Sequence, residues 1–152
     1  MNEIKNNEFV IDEDDMLMEY CGIGGDVVIP DGIKDIFFEA FFGRYSITSV
    51  TIPGTIEDIA PFVFEECSSL KKLIIKEGLI TIGACAFNNC KSLEIINLPK
   101  SLKHICMSSF CNCCSLKEIH YAGSKSDWNL IEKDEDWDKE TGNYKIIFIE
   151  GN

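Results

Sequence analysis

The sequence predicts a single α/β solenoid, wound in 23-residue coils that each carry one short parallel strand and one helical turn, with a cap at either end. Three observations predict it. Residues 27–49, 50–72, 73–95 and 96–118 align without a gap, and a fixed period is the mark of units that stack. The same positions are always apolar, with Val27, Val50, Leu73, Ile96 and Ile119 in one column and Ile29, Ile52, Ile75, Leu98 and Tyr121 two residues on. The 152 residues, 45% of them hydrophobic, suffice for one continuous core and one domain.

Residues 1–26 read as an amino-terminal β cap, with strands at Phe9–Ile11 and Leu17–Tyr20 joined by an acidic turn. The four units of 27–118 follow. Two-residue spacing of the apolar columns is strand spacing, so Val28, Thr51, Ile74, Asn97 and His120, which alternate with them, point outward. Pro30, Pro53 and Pro99 come directly after the strand, where a residue without an N–H ends the ladder. Further inward columns are Ile36, Ile59, Ile82 and Ile105, then Phe41, Phe64, Phe87 and Phe110, then Ile47, Leu70, Leu93 and Leu116. Around each Phe, as in Gly83-Ala84-Cys85-Ala86-Phe87-Asn88-Asn89-Cys90, small residues mix with turn formers, and one turn of helix is expected there. Residues 119–152 form the carboxyl-terminal cap, with Trp128 and Trp137 expected to cover the last coil's core.

The pattern I-x-x-x-A-F-x-x-C-x-x-L followed by a V/I-x-I-P strand is clearest at Ile82, Ala86, Phe87, Cys90, Leu93, Ile96, Leu98 and Pro99. It resembles the BspA-like, or Treponema pallidum-type, leucine-rich repeats over at least residues 27–125. Tyr121, Gly123, Ser124, Trp128 and Ile131 resemble the module that closes arrays of that family. The resemblance implies a leucine-rich-repeat solenoid, and it implies a binding or adhesion module more loosely, because fold does not fix function. Two positions depart from the pattern: Arg44 stands where other units have Cys67, Cys90 and Cys113, and Lys76 replaces the proline.

The net charge of −12 is carried by the ends. Residues 1–31 hold nine acids and one Lys, and 126–152 hold eight acids and three Lys, whereas 32–125 hold nine acids against ten bases. With no basic stripe to follow phosphates, nucleic acid is not an expected partner. No apolar run reaches the roughly 20 residues of a membrane helix, and the acidic start lacks a secretory signal's basic and apolar blocks. A cytoplasmic place is expected for the chain as it stands, and the cell surface or exterior if a signal has been removed.

Eight cysteines invite a metal or disulfide reading. Cys67, Cys90 and Cys113 recur with the period, so a buried, reduced packing role accounts for them. Cys106, Cys111 and Cys114 lie near His104, but their C-x₄-C-x₂-C spacing is not that of paired zinc knuckles. Neither His104 nor His120 is tied to a cysteine as a nucleophile's base, and the Gly22-Gly24-Gly25 cluster precedes a strand instead of opening a helix. No catalytic residue, metal ligand or cofactor is assigned, and the chain is not expected to be an enzyme.

What remains is the outward strand face, where solenoids commonly meet partners. Lys72, Ile74, Ile95, Asn97 and His120 are the residues expected to bind a protein or peptide there, with Ile74 and Ile95 as exposed, adjacent aliphatics. The alternatives are a structural or self-associating domain that forms a homodimer, and adhesion to a host or matrix protein if the chain is exported.

Overall fold

The computed structural model describes the backbone of residues 3–5 and all of residues 8–150. Its strands are β1 (Glu3–Lys5), β2 (Phe9–Ile11), β3 (Met16–Tyr20), β4 (Gly25–Val28), β5 (Asp35–Ile36), β6 (Ile47–Ile52), β7 (Asp58–Ile59), β8 (Lys72–Ile75), β9 (Thr81–Ile82), β10 (Ile95–Leu98), β11 (His104–Ile105), β12 (Glu118–Tyr121), β13 (Glu132–Lys133) and β14 (Lys145–Phe148). One helix, α1 (Lys125–Leu130), lies between β12 and β13.

Strands β4, β6, β8, β10, β12 and β14 form one parallel sheet in chain order, giving a solenoid of about six turns. The register follows the period, with Val50 beside Leu73 and Ile96 beside Ile119. The inward columns from Val27 to Tyr121 are buried. The strands stop at the same place with or without a following proline, since β8 and β12 end at Ile75 and Tyr121 as β6 and β10 end at Ile52 and Leu98. Lys76 and Ala122 donate their N–H to the carbonyls of Ile52 and Leu98 at 3.0 Å each, a rung that Pro30, Pro53 and Pro99 cannot make.

A second parallel ladder, β7, β9, β11 and β13, runs along another side of the coil and buries Ile59, Ile82 and Ile105. Two-residue strands are too short for alternation to reveal them in sequence. The amino-terminal strands β1 to β3 are antiparallel and join β5 through a parallel pairing of Leu17 with Ile36. Together with β5 these strands form a sheet of their own and leave β4 outermost in the main sheet.

The expected helical turn in each repeat is absent. Residues 38–43, 61–66, 84–89 and 107–112 are strings of tight turns, and α1, six residues long, is the only helix among the described residues. Stacking is the reason. In the third coil, Ala86, Asn88 and Cys90 donate to Gly83, Cys85 and Phe87 within the arc, while Cys85, Phe87 and Asn89 donate to Met107, Ser109 and Cys111 of the next coil. An α-helix would keep those N–H groups for its own carbonyls. The alternation needs left-handed residues at two places per arc, and Glu39 and Gly43, Phe62 and Glu66, Cys85 and Asn89, Ser108 and Asn112 all have φ between 55° and 63°.

Core packing repeats with the coil. Phe41, Phe64, Phe87 and Phe110 stack with ring centroids 4.6, 5.1 and 5.2 Å apart. Tyr20 extends the stack at one end at 5.2 Å, and Trp137 closes the other, edge-on to Phe110 at 6.2 Å. The Cys67, Cys90 and Cys113 thiols are buried and donate to the carbonyls of Phe41, Phe64 and Phe87 at 3.2–3.3 Å. Arg44, in the thiol's place in the first unit, reaches out to Glu19 at 3.0 Å.

In the carboxyl-terminal segment Ser124 caps α1 with a reciprocal Asp127 contact. Lys133 donates to the Trp128 and Ile131 carbonyls at 2.8 and 3.0 Å, with its ammonium 4.5 Å from the centre of the Trp128 ring. The left-handed pair recurs at Asp136 and Glu140, so the last coil is five residues longer than the others from arc to arc and four longer between β12 and β14.

Candidate functional site

Two columns make the outward face of the main sheet. Val28, Thr51, Ile74, Asn97, His120 and Ile147 stand rung beside rung, and Asp26, Ser49, Lys72, Ile95, Glu118 and Lys145 form the column beside them. The five residues singled out from sequence are thus contiguous: Lys72 pairs with Ile95, Ile74 with Asn97, and Asn97 with His120. No residue in either column is fully buried, so no other described element lies over this face.

Ile74 and Ile95, expected to be exposed, are instead half-buried. In-register rungs only about 4.8 Å apart press side chains against their neighbours and leave mainly their tips to solvent. Beside them the Oδ1 atom of Asn97 is buried without a hydrogen-bond partner among the described residues. An unmet acceptor of this kind usually costs about 1–3 kcal/mol.

The rest of the face mixes exposed Val28 with Thr51, Ser49 and Ile147 and with a charged group at one edge. Glu118 lies 2.7 Å from His120 Nε2 and 3.0 Å from Lys145 Nζ, and its carboxyl is held below the usual range by the hydrogen bond with His120 and next by that with Lys145. Lys117 pairs with Glu94 at 2.8 Å, and at the opposite edge Ser49 donates to Asp26 at 2.8 Å.

Two further features lie off this face. Phe37, Phe38, Phe42 and Tyr45 in the first arc and Phe62 in the second remain 39–60% exposed. The Phe37 and Phe38 rings are 4.5 Å apart. A signal for them existed in the alignment, because other units carry Ala60-Pro61, Gly83-Ala84 and Cys106-Met107 where the first has Phe37-Phe38.

The second feature joins His104 and Cys106 to Asp134, with one ligand-type atom from each lying within 4.8 Å of the others. His104 Nε2 is 2.8 Å from Asp134 Oδ1, and Met107 N–H donates to Asp134 Oδ2 at 3.1 Å. Burial pushes the Cys106 thiol pKa up, and the carboxylates of Asp134, Glu132 and Asp58 add to the shift. Asp134 is held low by the His104 hydrogen bond. Cys111, Cys113 and Cys114 take no part: Cys113 is in the core and Cys114 Sγ faces the Lys91 carbonyl.

Coils that each pair a strand of the main sheet with a two-residue strand of the second ladder and a string of turns, filled by periodic Leu, Ile and Phe, make this a leucine-rich β-solenoid. The family described as BspA type leucine rich repeat region matches residues 16–129 in six copies, and the chain belongs to this family. A leucine-rich repeat protein from Bacteroides ovatus is 28% identical, with a TM-score of 0.62 over 96% of this chain and 38% of its own. The Treponema pallidum leucine rich repeat protein is 21% identical, with a TM-score of 0.59 over 96% of this chain and 86% of its own. A leucine rich cell surface protein from Faecalibacterium prausnitzii is also 21% identical, with a TM-score of 0.56 over 80% of this chain and 45% of its own. The chain therefore spans less than half of the Bacteroides and Faecalibacterium proteins. No curated protein matches it. No helix among the described residues is long and apolar enough to cross a membrane.

Proposed function

We propose that the chain is a non-enzymatic protein-binding module that receives a protein or peptide segment on the outward face of its main sheet, at Lys72, Ile74, Ile95, Asn97 and His120. In this reading residues 1–26 and 119–152 are caps, and the whole chain acts as one unit. The observation that carries it is the centre of the face, where the aliphatic tips of Ile74 and Ile95 lie on a diagonal, with Lys72 and Asn97 on the same rungs. A partner that covers these tips would bury apolar area while the surrounding polar side chains hydrogen-bond at its margin. The polar group of Glu118, His120 and Lys145 forms the rim. The Faecalibacterium relative is a cell surface protein. A similar setting here would make the partner a host or matrix protein.

The test is affinity capture with the tagged chain from source lysate and from a panel of extracellular proteins, beside an Ile74→Glu/Ile95→Glu variant whose circular dichroism matches the native chain. A partner kept by the native chain and lost by the variant supports the face. Equal capture by both removes it.

The exposed aromatics favour a second reading, self-association through the first arc. Phe37, Phe38, Phe42, Tyr45 and Phe62 have the composition of an interface centre. Light scattering on a concentration series reads it directly: a dimer dispersed by Phe38→Ser/Phe42→Ser supports this reading, and a monomer at all concentrations ends it.

A further inference from the structure

We propose that His104, Cys106 and Asp134 form a binding site for a borderline-soft divalent cation of the zinc class, with water completing the coordination. His104 and Cys106 flank the buried Ile105, so on a strand they emerge on the same face. Asp134 comes from the neighbouring coil. Its N–H donates to the Ile105 carbonyl at 3.0 Å, which seats it on the rung beside Cys106 and diagonal to His104. The longer last coil makes this alignment. A strict 23-residue period would set Asn129 beside Cys106, but Asn129 lies within α1, and the extra residues bring the carboxylate of Asp134 to that rung instead.

Packing does not account for the trio. At the matching positions the two preceding coils carry Asp58 with Ala60 and Thr81 with Gly83, so neither the imidazole nor the thiol is a repeat requirement. All three side chains are only partly buried, which leaves a side open to an entering ion and its water. Three atoms mutually within 4.8 Å have a common point no more than about 2.8 Å from each, and small side-chain shifts bring that to the roughly 2.0–2.3 Å of zinc–nitrogen, zinc–oxygen and zinc–sulfur bonds. The Met107 N–H on Asp134 Oδ2 is the type of outer contact that orients a ligating carboxylate. One nitrogen, one sulfur and one oxygen suit zinc rather than calcium or magnesium, which prefer all-oxygen sets. On binding, the Cys106 S–H proton leaves to solvent, and metal bonds replace the contact between His104 and Asp134.

The experiment titrates Co²⁺, then Zn²⁺, into the reduced, metal-stripped full chain. One equivalent of Co²⁺ giving a thiolate-to-cobalt charge-transfer band, displaced by Zn²⁺, is expected. Cys106→Ser should remove the band. His104→Ala and Asp134→Asn should each weaken Zn²⁺ binding at least about 100-fold, since even outer-contact changes cost about 10–100-fold. A Cys21→Ser/Cys114→Ser chain, lacking the two exposed thiols, should bind as the native one does. Circular dichroism confirms the fold of each variant, and Asp134→Asn keeps the side chain's shape. Absence of the band, native binding by Cys106→Ser, or loss in the Cys21/Cys114 variant would overturn the proposal.

Discussion

Cys90 donates its thiol to the Phe64 carbonyl, which already accepts the N–H of Cys67, so one oxygen ties two successive coils. Cys67 and Cys113 repeat the thiol contact, and burial pushes all three thiols up, that of Cys67 to about 12. A thiol is reactive as thiolate, so these three should resist alkylation in the native state, whereas Cys21 and Cys114, both exposed, should react quickly. Pulsed iodoacetamide labelling with peptide mass spectrometry measures this. Labelling of Cys90 at the rate of Cys21 would contradict the buried ladder. At Glu118 the folded-state pKa is depressed below 4.5, so its contribution is present at neutral pH and is lost as pH falls through the lowered value. Acid denaturation followed by circular dichroism should therefore show a shallower limb below about pH 4.5 for Glu118→Gln than for the native chain.

At the scale of the element, the arcs show where local sequence misleads. Gly83-Ala84-Cys85-Ala86-Phe87 has the small residues of a helical turn, but half of its N–H groups serve the next coil, a demand that no local window displays. The strand columns were legible because every coil repeats them. The ligand trio was not, because Asp134 belongs to a coil of different length. The exposure of Ile74 and Ile95 was overstated because the pleat alone does not reveal how closely neighbouring rungs shield one another. Left-handed non-glycine residues in the arcs cost roughly 1–2 kcal/mol each, against roughly 0.5–1 kcal/mol for the added chain entropy of glycine. Ser108, at φ 55°, is a direct test. Ser108→Gly should stabilise by up to about 1 kcal/mol, while the β-branched Ser108→Val should destabilise by at least about 1 kcal/mol, both read from urea midpoints.

Across the whole molecule, each coil touches chiefly its neighbours, so a break in the middle affects both arms. Phe87 is fully buried at the centre of the aromatic stack. Phe87→Ala should cost about 3–5 kcal/mol, and each kcal/mol should lower Tm by roughly 2–4 °C for a chain of this size. Calorimetry checks it, and a fall of less than about 3 °C would show that the stack is not what joins the coils.

The placement of the indoles has a practical consequence. The chain has two tryptophans, and both lie in the terminal segment, Trp128 against Tyr121 and Trp137 against Phe110. Fluorescence is therefore a local optical reporter of one end, whereas far-ultraviolet dichroism averages over every strand. If that end frays first, the fluorescence midpoint in urea will fall below the dichroism midpoint, and the distance between the two curves will measure how independently the last coil opens.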